Sequence, residues 1–141
     1  MACFDVQSSS DDLRAQTMIA AVDASRSRLQ TDVIDLYYIH RPRTGKDLRP
    51  LMEGLETARQ QGKIHAIGVS NFSVAQMEQL AEVGRIDAHQ LGYNLLWRFA
   101  ERDIIPTAGS AASPSWFTAR WRTGFCRELR PPVQFVAGDQ R

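Results

Sequence analysis

Apolar and polar positions along the chain follow two rhythms in turn. From Leu13 to Leu29 the apolar residues recur at helical spacing, with Ala15, Ile19, Val22 and Leu29 falling roughly on one face. Arg26 interrupts that face, so Arg26→Leu is expected to raise stability. Ser8–Ser10 with Asp11 and Asp12 reads as the helix start, with hydroxyls and carboxylates for the free first-turn N–H groups. VIDLYYI, 33–39, is β-branched and aromatic without a breaker, which predicts a strand buried on both sides except at Asp35. It ends in the loop His40-Arg41-Pro42.

Pro50 then opens a second helix with Leu51, Leu55 and Ala58 as its stripe and Gly62 just past its end. Ile64–Val69 predicts a second strand, ending in Ser70-Asn71. Ser73 and Gln76 fit a capping box for a third helix, with Val74, Met77, Leu80 and Ala81 inward and Gly84 as its close. Ile86–Leu91 predicts the third strand. The strand starts at Val33, Ile64 and Ile86 lie 31 and 22 residues apart. Such a cadence leaves room for a crossover helix each time, hence parallel strands in an α/β fold.

Composition narrows the classes. The 141 residues carry 17 basic and 16 acidic side chains, without the basic excess of a nucleic-acid binder. No apolar run is long enough to span a membrane and no signal peptide opens the chain, so a soluble, cytoplasmic protein is expected. Cys3 and Cys126 make neither a disulfide framework nor a metal set. The charge divides unevenly: 1–106 holds 12 basic and 14 acidic groups, whereas 107–141 holds five arginines, no lysine, Glu128 and Asp139.

Neither GxGxxG nor GxxxxGK[ST] occurs, which argues weakly against a doubly wound nucleotide domain or a P-loop. His40, Ser70-Asn71 and Gln90 instead fall at C-terminal strand ends, where a barrel builds its active site. From the residues alone, His40 also reads as a strand-end cap, Ser70-Asn71 as turn chemistry, and Gln90 as an ordinary strand polar residue. His65 and His89 read as solvated or helix-facing, and Tyr37 and Tyr38 as packing residues.

Three segments carry a resemblance. Residues 24–42, with Arg28-Leu29, Asp35-Leu36-Tyr37 and Ile39-His40-Arg41-Pro42, resemble the central signature of the aldo/keto reductases. Residues 62–73, GKIHAIGVSNFS, are similar to the second signature, and Gln90-x-x-Tyr93-Asn94-Leu95-Leu96 to the strand that follows. The resemblance covers about 10–106. It implies part of a (β/α)8 TIM barrel and an NADP(H)-dependent oxidoreductase that reduces small-molecule aldehydes or ketones to alcohols. By the same resemblance His40 is the active-site histidine, and Ser70, Asn71 and Gln90 contact the nicotinamide carboxamide. No metal, nucleic acid or membrane partner is implied. Asp35 is read as an anchor in the barrel wall.

A (β/α)8 barrel needs roughly 250 residues. The family's aspartate, tyrosine and lysine, which complete its catalytic tetrad, match nothing in this chain. The expectation is therefore an inactive fragment with weak or absent NADP(H) binding and self-association through exposed sheet edges. The alternative is a non-catalytic binding or regulatory protein on a partial barrel. Residues 1–106 form the reductase-like part, and 107–141 an irregular tail that continues it in disrupted form. Within that tail, 107–126 shows no strand-like run and looks frame-shifted. With each codon's third base read together with the first two of the next, Trp116-Phe117 gives valine and Phe125-Cys126 gives leucine, and the stretch then resembles the missing helix end and strand. Residues 127–141 resemble the family again.

Overall fold

The computed structural model describes residues 2–4, 13–42, 45–93, 96–110 and 116–120. Five strands form one sheet: β1 (Ala2–Phe4), β2 (Ile34–Ile39), β3 (Ile64–Ser70), β4 (Ala88–Gly92) and β5 (Trp116–Arg120). They lie in chain order and every pairing is parallel. The crossovers carry α1 (Ala15–Leu29), α2 (Arg49–Gln60) and α3 (Val74–Ala81), and α4 (Ile104–Ser110) precedes β5. This alternation is a partial (β/α)8 barrel, and the three strands expected from the sequence stand side by side in the expected order.

Two strands lie where the sequence pattern gives none. β1 has three residues, too few to show a period, and it registers Cys3 on Tyr38 and Phe4 on Ile39. β5 falls inside the stretch read as lacking any strand, yet it pairs with β4 from Ala88↔Trp116 to Gly92↔Arg120. An open edge offers unpaired N–H and C=O groups to any extended backbone, whatever its side chains. The expected helix start at Ser8–Asp12 lies outside the described residues.

The core forms where the helices meet one face of the sheet. Tyr37, Ile39, Ile67 and Val69 bury on that face against Met18 and Val22 of α1 and Leu51, Met52, Leu55 and Ala58 of α2. Leu51, Met52 and Leu55 are each 0% exposed, so each contributes about 1.5–3 kcal/mol by leaving water. Gly54 permits the close crossing of α1 and α2: a Cβ there would sit 2.5 Å from the Ala15 carbonyl oxygen.

Helix ends follow the sequence signals. Gly62 adopts φ +69°, its N–H donates to Arg59 O at 2.9 Å, and the Lys63 N–H donates to Ala58 O at 2.9 Å. The capping box is complete: Ser73 Oγ accepts the Gln76 N–H at 3.4 Å and Gln76 Oε1 accepts the Ser73 N–H at 3.0 Å. α3 ends at Ala81, which is exposed, three residues before the expected close at Gly84.

α1 docks differently from its apolar pattern. Its buried residues are Met18, Val22 and Ser25, and Leu29 is 52% exposed. Ser25 turns inward because its Oγ lies 3.3 Å from the buried Tyr37 hydroxyl and accepts from Arg28 Nη2 at 2.9 Å. Arg26 is therefore not misplaced on a docking face. Its Nε donates to Asp32 O at 2.7 Å and its Nη1 reaches Asp23 Oδ1 at 3.2 Å, closing the α1–β2 turn where the helix end favours a cation. Asp23 in turn binds Lys63 Nζ at 2.7 Å, which holds its carboxyl below the usual carboxylate range. Arg26→Leu is thus expected to lower stability, by about 1 kcal/mol, reversing the expectation from sequence. Urea unfolding of the variant measures it, and a raised midpoint would return Arg26 to the docking face.

Asp35 is exposed at the foot of β2, so it pays no burial cost and does not anchor a closed wall. The buried carboxylate is Asp87, just before β4. Its Oδ2 accepts the Ile67 N–H at 2.9 Å and its Oδ1 accepts from Arg85 Nε at 2.6 Å. Among the described residues no helix is long and apolar enough to cross a membrane.

Candidate functional site

Parallel register places side chains by rung, and alternate residues along each strand share a face. Ile39 pairs with Val69, so His40, one residue beyond β2, stands on the next rung with Ser70. Ser70 pairs with Gln90, and Gln90 with Thr118 of β5. His40, Ser70 and Gln90 therefore share one face and one level at the C-terminal edge of three neighbouring strands. The His40 N–H donates to Phe4 O at 2.8 Å, which ties this level to β1.

Two rungs below, at the next position on the same face, Tyr38 lies beside Gly68, and its ring rests on the glycine. A Cβ at Gly68 would meet ring atom Cδ1 at 2.6 Å. The ring is 2% exposed and floors the rung that carries His40 and Ser70. Tyr37 points to the other face, against α1, where burial pushes its phenol pKa up despite the contact with Ser25.

Ser70 is buried, while His40 and Gln90 are half-buried. Asn71 follows at φ +59°, a left-handed conformation that asparagine tolerates better than most side chains. Its N–H donates to Gln90 O at 2.8 Å, and its Nδ2 donates to Ser70 Oγ at 3.0 Å. With that acceptor site taken, the Ser70 hydroxyl keeps its own proton to donate. A hydroxyl beside two amide side chains offers both donors and acceptors, the set a planar primary amide needs.

The sequence-predicted residues thus come together, and the chain beyond them is bound in place. Tyr93 Oη donates to Glu101 Oε1 at 2.5 Å, and Arg98 Nε binds the same oxygen at 2.7 Å. The Glu101 carboxylate holds the proton on the Tyr93 phenol and raises its pKa. Trp97 and Phe99 lie in this loop, their rings 5.7 Å apart and both exposed. Among the described residues no group of His, Cys, Asp or Glu side chains could hold a metal ion.

Sequence reasoning missed one residue near this level. His65 is exposed, but His89 is 2% exposed on the helix side of β4, and its Nε2 accepts the Phe72 N–H at 3.2 Å. Burial lowers its pKa from 6.5 to about 4. Alternation with Gln90 gave the face, but only the left-handed turn at Asn71 reveals the partner.

Known proteins share this sequence pattern and fold. The family model described as Aldo/keto reductase family matches residues 3–111, reaching further at both ends than the sequence motifs and taking in the last two residues of β1. Aldo-keto reductase YhdN of Bacillus subtilis is 40% identical over 91 residues, 64% of this chain and 28% of that protein. Glyoxal reductase of the same organism is 44% identical over 77 residues, 54% of this chain and 27% of that protein. The glycerol dehydrogenase from Gluconobacter oxydans superposes with TM-score 0.68 at 35% identity, covering 75% of this chain and 32% of that one. An aldo/keto reductase from Klebsiella pneumoniae, solved with NADP and acetate, gives TM-score 0.68 at 27% identity over 82% of this chain and 40% of that one. The chain spans about a quarter of the length of these curated relatives and a third to two-fifths of these solved ones. With its parallel strands, its two signature segments and a family match over most of its length, the chain belongs to the aldo/keto reductase family.

Proposed function

We propose that this chain carries the nicotinamide-facing part of an NADP(H)-dependent carbonyl reductase site, with His40 beside the substrate carbonyl. The observation that supports it is the single rung holding His40, Ser70 and Gln90, with Asn71 bonded to Ser70 Oγ at 3.0 Å. Ser70, Asn71 and Gln90 would hold the carboxamide through its donor and acceptor atoms. A neutral imidazole at His40 would donate to the carbonyl oxygen and orient it. When bound, the cofactor supplies the hydride, and the protein's part is orientation and electrostatics. Residues 107–141 continue the same domain in disrupted form, and the chain by itself is an inactive fragment.

The donor set fits the carboxamide, and the reading is tested by binding. NADPH titrated into the chain, followed by NMR, should perturb the amides of Ser70, Asn71 and Gln90. Ser70→Ala should weaken that binding about tenfold, the equivalent of one hydrogen bond to a buried partner. Perturbation confined to other residues, or equal affinity in Ser70→Ala, would remove the reading. A non-catalytic binding role would instead show a ligand for this face without preference for reduced nicotinamide.

A further inference from the structure

The β3–α3 connection is sewn to β4 by two successive N–H groups. Asn71 donates to the main-chain oxygen of Gln90 at 2.8 Å, an ordinary continuation of the ladder. The left-handed turn at Asn71, φ +59°, then swings the chain out of the sheet. The next N–H, that of Phe72, can no longer meet a strand carbonyl. It is satisfied by a side chain, His89 Nε2, at 3.2 Å. Phe72 is 1% exposed and His89 2% exposed, so this donor and acceptor lie away from water, where losing either partner is costly. To accept there, Nε2 must be bare, which places the ring proton of the neutral imidazole on Nδ1.

The position of this bond matters because of what it adjoins. Asn71 lies between Ser70, whose Oγ it binds, and Phe72, which His89 holds. Gln90 is the next residue after His89. One two-residue step of β4 therefore serves both sides of the sheet, with Gln90 on the site rung and His89 behind it. We propose that His89 is a positioning residue for the nicotinamide-facing pair: its Nε2 holds the turn at Asn71 so that the Asn71 amide stays on the Ser70 hydroxyl. This rests on the reading of Ser70, Asn71 and Gln90 as carboxamide contacts. Leucine at 89 would fill the space and leave the Phe72 N–H without its acceptor. Glutamine would fill it with an amide oxygen able to take that N–H.

The experiment compares the chain with His89→Leu and His89→Gln by amide hydrogen exchange at 71–73 and by NMR titration with NADPH. His89→Leu is expected to speed exchange at Phe72 and weaken NADPH about tenfold, with His89→Gln within about threefold of the parent on both. Equal affinity in a folded His89→Leu chain would overturn the proposal. Should His89→Leu not fold, His89→Gln decides. Protected Phe72 with parental affinity supports the proposal, and unprotected Phe72 with parental affinity overturns it. If the parent chain binds no NADPH, the carboxamide reading fails by itself. Exchange at Asn71 and Phe72 then decides alone: faster in His89→Leu supports the hold on the turn, and unchanged overturns it.

Discussion

The 141-residue chain is expected to show no carbonyl-dependent oxidation of NADPH, at least about a thousandfold below a full-length relative. Reducing a carbonyl leaves a developing alkoxide that must gain a proton in the same event, and a positioned acid typically contributes roughly 10²–10⁴-fold, about what its loss costs. In the family that the chain belongs to, the acid is a tyrosine tuned by a lysine and an aspartate. Two of the chain's three phenols are set the other way. Tyr93 donates a hydrogen bond to the Glu101 carboxylate, which keeps the proton on the phenol and raises its pKa, and Tyr37 is raised by burial on the opposite face. A phenol made less acidic is a poorer donor at neutral pH. In the proposed site an imidazole at His40 would orient a carbonyl, but orientation alone leaves the charge uncompensated. Loss of reduced-cofactor absorbance with a reactive aldehyde measures the outcome. The comparison takes the chain, His40→Ala, and an extended chain with the family's earlier strands and the restored reading of 107–126. Turnover by the 141-residue chain that disappears in His40→Ala would mean a working site assembles without those residues.

The convergence of the candidate residues was legible in the sequence for a physical reason. A parallel strand brings its last residues to one edge, so polar residues at three strand ends, His40, Ser70 and Gln90, had to converge once the strands were adjacent. What stayed hidden depends on contacts between distant segments. The docking face of α1 follows Ser25, a polar residue whose burial is set by the Tyr37 hydroxyl twelve residues away. Helical periodicity weights Leu29 and Ile19 instead, and Leu29 ends up in water. Arg26 looked like an error in an apolar stripe because its partner, the Asp32 carbonyl, is a backbone atom that no pattern displays. Asp87, within the expected third strand, supplies the acceptor for the Ile67 N–H inside the sheet, a backbone partner that no pattern displays. β1 and β5 escaped because pairing, and not side-chain pattern, makes them strands.

Acidification from pH 6.5 to 4 should cost the folded chain about 3 kcal/mol through His89 alone, at about 1.4 kcal/mol per pKa unit. The sign follows from the direction of the shift. Burial lowers the folded pKa of His89 from 6.5 to about 4, so in this window the unfolded chain binds the proton and the folded chain does not. Stability is therefore full above 6.5, falls as pH drops through the window, and levels off in this respect below about 4. Protonation would also place a donor at Nε2 facing the Phe72 N–H, turning an acceptor into a repulsive partner. The neighbouring charge on the same face of β4 is Asp87, two residues back, and it is engaged by the Ile67 N–H at 2.9 Å and by Arg85 Nη2 at 2.5 Å, with Arg59 Nη1 at 3.8 Å. Burial is the cause of the His89 shift, so that carboxylate gives no relief. The lowered carboxylates of Asp23, Asp47 and Glu101 begin to protonate only toward the acid end of this window or below it, which separates their loss from that of His89. Urea midpoints measured from pH 7 to 4 should fall steadily for the parent chain and nearly flatten for His89→Gln, which has no imidazole to charge. Parallel slopes in the two would show that His89 is not the group whose protonation unlocks the β3–α3 connection.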